Sequence, residues 1–189
     1  SLADDVRSRL EDAGVTVAAF EGVEEGQRDL RAALTNLDGA GVELLYSPTY
    51  PVDGGILVRQ ATELGFSMTM IGGDNWDSPE FRTGAGEAAE GCFLVKAIEP
   101  SGAVFEAFSS SYQRRYGEEP DNFATWSYDA LWVLAKGLAS TDGVGGEPLV
   151  HALHAIDFEG ASGRIAFDKN GDLRYPSFGV FVYQDGELV

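Results

Sequence analysis

The chain has 189 residues and a mass of 20.2 kDa, with 44% hydrophobic and 11% aromatic residues; it can bury an ordinary core as one large domain or two small ones, and is neither disordered nor fibrous. Thirteen basic residues against 31 acidic ones give a formal net charge of −18 with no basic stretch anywhere, which argues against nucleic-acid and anionic-membrane binding, because phosphate contacts need clustered Lys and Arg. No apolar run approaches the ~18–20 residues of a membrane span and no signal-peptide pattern opens the chain; the single cysteine, Cys92, excludes an internal disulfide and any multi-cysteine metal site.

In chain order, Leu2, Val6 and Leu10 recur at fourfold spacing and predict an amphipathic helix over 2–13, ended by Ala13-Gly14. Val15–Phe20 (VTVAAF) is β-prone and bounded by glycine, as a buried strand would be. A second helix over 28–37 carries Leu30, Leu34 and Leu37 on one face and leads to a strand over 42–46. A third helix over 54–64 stops at Gly65 before a strand over 67–71. Ser78-Pro79-Glu80 then supplies an N-cap, a proline at the first helical position and an acid in the first turn; a fourth strand covers 92–97. Such alternation with short connections means α/β architecture, a parallel sheet with helices on its faces and ligands beyond the carboxyl ends of the strands.

After Pro100 the pattern changes. Two long helices over 104–116 and 123–138 are followed by a flexible break at 141–146, a short helix over 149–156, and strands over 164–167 and 178–183 flanking the turn Asp168–Asp172. This half has apolar helix faces and hardly any sheet to cover them, so the chain is expected to be a segment of a larger protein whose missing part precedes Ser1.

Six stretches, in order and spacing, resemble the carboxyl-terminal part of type I periplasmic solute-binding proteins of the leucine/isoleucine/valine-binding group: Ile56–Phe66, Ile71–Trp76 (IGGDNW), Ala88–Gly91, Phe108–Pro120, Tyr128-Asp-Ala130 and Gly160–Asp172. The resemblance implies two α/β lobes that close on a solute like a hinge. Residues 1–97 plus 176–189 would form the second lobe and residues 98–175 the returning part of the first, whose main sheet would be missing upstream. It implies an extracytoplasmic or cell-surface protein that binds a small amino acid-like ligand, an aliphatic or aromatic amino acid, in an interlobe cleft and delivers it to an ABC permease, without an enzymatic step or cofactor. The alternative within the same fold is a sensor or regulator that binds an amide, urea or an aromatic acid.

Three residues stand at the carboxyl ends of predicted strands. Tyr50 follows the 42–46 strand through Ser-Pro-Thr, and the resemblance makes it a pocket aromatic; its bland reading is a packed loop tyrosine. Asp74 follows the 67–71 strand through Gly72-Gly73, where the family places an acid that receives the ligand's α-ammonium group; otherwise it caps a turn. Here the acid is Asp where the family often has Glu, one methylene longer. Trp76 is a pocket wall or a cover for the sheet edge. Asp53 reads as an N-cap, and Tyr46 and Thr49 reach the cleft with little weight. The family's carboxylate-binding groups would lie before Ser1, so these residues amount to half a site.

Trp126, Tyr128 and Trp132 read as packing residues. Gly84–Ala89 matches G-x-G-x-x-A but follows a helix where a dinucleotide loop would open one. Asp168–Asp172 has its glycine at the wrong place for a calcium loop, and His151 with His154 lacks a third ligand, so no metal site is expected. Uncovered apolar faces favour self-association of the fragment. An acid-rich composition with only Lys96, Lys136 and Lys169 as lysines fits either a salty medium or an acidic extracytoplasmic protein from an ordinary habitat.

Overall fold

Helix α1 (Leu2–Asp12) opens on a capping box, in which the Ser1 hydroxyl accepts from the Asp4 N–H and the Asp4 side chain answers the Ser1 backbone. Beyond it come α2 (Arg31–Gly39), β1 (Leu44–Ser47), α3 (Pro51–Glu63), β2 (Thr69–Gly72), α4 (Pro79–Ala85) and β3 (Phe93–Ala97). The computed structural model describes residues 1–189, the side chain of residue 122 excepted, and the chain divides into two units, Ser1–Ala97 with Phe178–Val189 and Ile98–Ser177.

In the first unit, β1, β2 and β3 are parallel, as the strand–helix alternation requires. The chain leaves after β3 and returns as β6 (Phe178–Gln184), antiparallel to β3, and a two-residue strand β7 (Glu187–Leu188) closes the order β1-β2-β3-β6-β7. The sheet is therefore parallel at one side and antiparallel at the other. Met70 and Leu94 stand on the covered face of the parallel strands, with Met68 and Cys92 just before them; all four are buried. Helix α3 lies over this face as a core helix, burying Ile56, Leu57, Val58 and Ala61. It approaches α4 so closely that a Cβ on Gly55 would stand 2.9 Å from the backbone of Phe81, Gly84 and Ala85, so glycine is the residue that permits this crossing.

One predicted strand is absent. Residues 15–20 pair with no strand, which leaves β1 as the edge of the sheet. The segment is held by side chains: the Arg7 guanidinium lies 4.5 Å from the centre of the Phe20 ring. A β-prone composition describes residues that fit a half-buried pleated surface, and this stretch has no such surface to join: Val15 and Phe20 remain about half exposed.

The second unit holds α5 (Ala103–Tyr116), α6 (Asn122–Ser140), α7 (Glu147–His154) and a hairpin of β4 (Asp157–Gly160) with β5 (Gly163–Ala166). The strands predicted on either side of Asp168–Asp172 do not pair with each other: β5 pairs with β4, and β6 belongs to the other unit. The turn itself closes, because the Asp168 carboxylate accepts from the N–H groups of Asn170 and Asp172 at 2.8 and 3.0 Å, which holds it below the usual carboxylate range. Buried Asp129 on α6 organises the hairpin; its oxygens accept from Ala161 N–H at 2.9 Å and from the N–H and hydroxyl of Ser162 at 2.7 and 2.6 Å. A Cβ on Gly160 would collide with this carboxylate. No helix among the described residues is long and apolar enough to cross a membrane.

Candidate functional site

Parallel neighbours in register end side by side. Tyr46 pairs with Ile71 and Ser47 with Gly72, so residues 48–50 and 73–78 leave the sheet together at the carboxyl edge of β1 and β2. That edge is where open α/β sheets receive ligands. Tyr50 ends the first loop as the N-cap of α3, with extended backbone at φ −62° and ψ 160°. Pro51, the first helical residue, imposes this by disfavouring the α region for the residue before it. Tyr50 is 63% exposed. Asp74 begins a single 3-10 turn, Asp74–Trp76, and its carboxylate is exposed at the start of the second loop. The Asn75 side-chain amide donates to the Thr49 carbonyl at 3.0 Å and ties the two loops together.

Trp76 is enclosed beneath these loops and contributes no exposed wall. Its ring stacks on Phe81, centroids 4.6 Å apart, and Phe81 stacks on Tyr183, whose hydroxyl donates to the Trp76 carbonyl at 2.8 Å. The indole occupies room left by two glycines, since a Cβ on Gly54 would run into its Nε1 and one on Gly72 into the fused ring. Gly72, the last residue of β2, therefore serves the packing of Trp76.

A cleft of about 380 Å³ lies within the first unit, between residues 19–25 and the edge strand. Its floor is apolar, from Leu30, Leu34, Leu45 and Leu57, and its rim carries Tyr46, Thr49 and Tyr50. Asp74 and Trp76 are outside this lining. Tyr46 connects the two places: it lines the cleft, and burial first and the Asp74 charge second push its phenol above the ordinary range.

Asp53 is not the cap of α3. With Pro51 as the first helical residue the cap falls on Tyr50, and the buried Asp53 carboxylate reaches out of the first turn to accept from the Gly26 N–H at 3.1 Å. Buried Gln60 holds the same segment, accepting from Leu30 N–H at 2.8 Å and donating to the Arg28 carbonyl at 2.7 Å. Neither contact has a sequence signal, because each joins positions about thirty residues apart. Asp77, the loop's other acid, is occupied by Lys96 at 2.7 Å and Arg82 at 3.4 Å.

The remaining candidates stand elsewhere. In the second unit Tyr128 packs at a tilt against Phe108 and meets Trp132 edge-on, while Trp126 packs against Phe123. His154 Nδ1 lies 2.9 Å from the Asp168 carbonyl, and His151 faces Glu147 across a helical turn. Among the described residues no three His, Cys, Asp or Glu side chains gather as a metal site would require. Gly84 lies in the last turn of α4, Gly86 caps it and Gly86–Ala89 forms a 3-10 turn, which is helix-ending geometry for the G-x-G-x-x-A match.

The family model described as a periplasmic binding protein matches residues 1–184. The leucine-, isoleucine-, valine-, threonine- and alanine-binding protein of Pseudomonas aeruginosa is 34% identical over 185 residues, covering 95% of this chain and 48% of that protein. A Leu/Ile/Val-binding protein homolog of Brucella melitensis is 29% identical over 194 residues, 100% of this chain and 52% of its own length. Among solved structures, a leucine-binding protein of Thermotoga maritima superposes with a TM-score of 0.82 at 28% identity, covering 100% of this chain and 54% of that one. The chain spans about half the length of the curated relatives it matches.

Proposed function

We propose, for a chain that belongs to the periplasmic binding protein family, that it carries half of the binding site of an extracytoplasmic solute-binding protein for an aliphatic amino acid. The supporting observation is the register of β1 and β2, which brings the Tyr50 and Asp74 loops out together at the carboxyl edge of the sheet. In this reading the Asp74 carboxylate receives the α-ammonium group and Tyr50 covers the aliphatic side chain, while Trp76 supports the loop from beneath. The ligand's carboxylate is met by groups outside this chain. Residues 1–97 with 176–189 correspond to one lobe, and residues 98–175 to the returning part of the other. Names of relatives that bind leucine, isoleucine and valine support the ligand class, and delivery to an ABC permease without chemical change is part of the same proposal.

An enclosed carboxylate–ammonium bond contributes ~1.5–3 kcal/mol, so Asp74→Ala is expected to weaken leucine binding roughly 10–100-fold. The test is calorimetric titration of L-leucine, L-phenylalanine, acetamide, urea and benzoate into the longest polypeptide that carries this sequence. Unchanged leucine affinity in Asp74→Ala would remove the ammonium role. Binding only of compounds without an ammonium group would replace transport of an amino acid by the amide or aromatic-acid reading.

A further inference from the structure

Among the described residues, two buried side-chain polar atoms have no hydrogen-bond partner, Asn75 Oδ1 and Trp76 Nε1, and they belong to consecutive residues of the turn that carries Asp74. Buried polar atoms are normally paired, and an orphaned pair in one turn shows that something else holds these side chains in place. Here their other ends are committed. The Asn75 amide nitrogen donates across to the Thr49 carbonyl, one residue before Tyr50. The Trp76 carbonyl accepts from Tyr183 on β6, its ring stacks on Phe81 of α4, and its edge fills the space beside Gly54, four residues after Tyr50 in the first turn of α3. The turn thus grips the Tyr50 segment from both sides, by a hydrogen bond before it and by a wedge behind it.

We infer that Asn75 and Trp76 form a clamp that fixes the Tyr50 loop against the Asp74 loop before a ligand arrives, with Asn75 as a positioning residue that sets the spacing of the two. A site held in advance loses less ordering entropy on binding, so such a clamp raises affinity without touching the ligand. The ligand half of this inference rests on the proposed function; the clamp does not.

The first measurement is hydrogen exchange by mass spectrometry on this chain without ligand. Asn75→Ala removes the bond to Thr49 and is expected to speed exchange in residues 47–57 and 73–78 roughly five- to tenfold, with β3 and β6 unchanged. Trp76→Phe keeps the stack on Phe81, withdraws the edge beside Gly54, and should loosen residues 47–57 in the same way. Exchange that stays unchanged in 47–57, or rises uniformly through the first unit, overturns the clamp. The second measurement is L-leucine titration of the longest polypeptide carrying this sequence. Asn75→Ala, and Asn75→Asp as a substitution of the same size that cannot donate, should each weaken binding about five- to tenfold. Loosened loops with unchanged affinity overturn the positioning role. If the unsubstituted protein does not take leucine at all, the assigned ligand falls, and exchange alone decides the clamp.

Discussion

The two units of this chain both carry apolar helix faces and bury them very differently. In the first unit α3 is enclosed on its sheet-facing side, and the Trp76–Phe81–Tyr183 stack sits at the centre of a continuous core that also takes in Leu34, Val58, Met70 and Leu94. In the second, α5 and α7 bury no residue, and among the described residues the buried hydrophobic side chains are Ala161, Ile165 and Ala166 of the hairpin region. Helix α6 carries Phe123, Trp126, Leu131, Trp132, Leu134 and Leu138, more large apolar side chains than α3, yet these remain exposed to a third or more. Composition gives a helix its apolar stripe, and burial depends on whether another layer lies opposite. The sheet supplies that layer in the first unit, and a two-stranded hairpin cannot supply it in the second.

Breaking the aromatic stack should have the largest effect. Trp76→Ala deletes a fully buried indole and leaves a cavity between Gly54, Gly72 and Phe81, a change that costs about 3–5 kcal/mol. Urea unfolding followed by circular dichroism should show the loss in the transition of the first unit, with the second unit's signal unmoved. A loss below about 1 kcal/mol would mean that the stack is not the centre of that core.

The next effect is titrated, not mutated. Burial pushes the Cys92 thiol up from 9.0 to about 12. Between those values the unfolded chain gives up the proton while the folded one keeps it, so unfolding binds fewer protons and its free energy falls as pH rises. Stability of the first unit should hold up to about pH 9 and decline above it. The raised phenols of Tyr46 and Tyr183 add to the decline above pH 10. Cys92→Ala should flatten the part between 9 and 12 in a series of urea midpoints, and the native thiol should resist a disulfide reagent at pH 8 until urea exposes it. A thiol that reacts at once in the native protein would place Cys92 outside the core.

In the second unit the corresponding anchor is polar. Asp129→Ala strips the partners from the buried Ala161 N–H and from Ser162, and unpaired buried donors cost about 1–3 kcal/mol. Nuclear magnetic resonance of the Ala161 and Ser162 amides should show loss of protection with the first unit unaffected; retained protection would mean that the hairpin stands without α6.

Much of this contrast is legible in the sequence because it follows from periodicity. The helices over 31–39, 51–63 and 103–116 and the strands β1, β2, β3 and β6 fall within a few residues of the places where spacing and turn residues put them. The segment 15–20 fails because its β character depends on a partner strand, and it has none: Phe20 meets the Arg7 guanidinium and Val15 stays half exposed. Asp53 misleads because Pro51 moves the start of α3 three residues earlier than an acid-capped helix would have it. At the site, the positions of Tyr50 and Asp74 follow from strand ends alone. The Asn75 bond to Thr49 and the Gln60 grip on residues 28–30 depend on tertiary register, which no local pattern encodes.

The smallest expected effect sharpens the comparison most. Leu131 and Leu134 on α6 are 67% and 48% exposed, so replacing either by Ser removes little apolar surface from the interior and should change stability by about 0.5 kcal/mol or less. The same substitution at buried Leu34 or Leu94 would both empty a packed position and enclose a hydroxyl. Urea midpoints for Leu131→Ser and Leu134→Ser, taken at two protein concentrations a hundredfold apart, decide what the exposed stripe is doing. Near-zero changes at both concentrations mean that the second unit stands with its stripe open to water. A loss that appears only at the higher concentration means that a second copy covers the stripe, since stability gained by association grows with protein concentration while stability gained by folding does not.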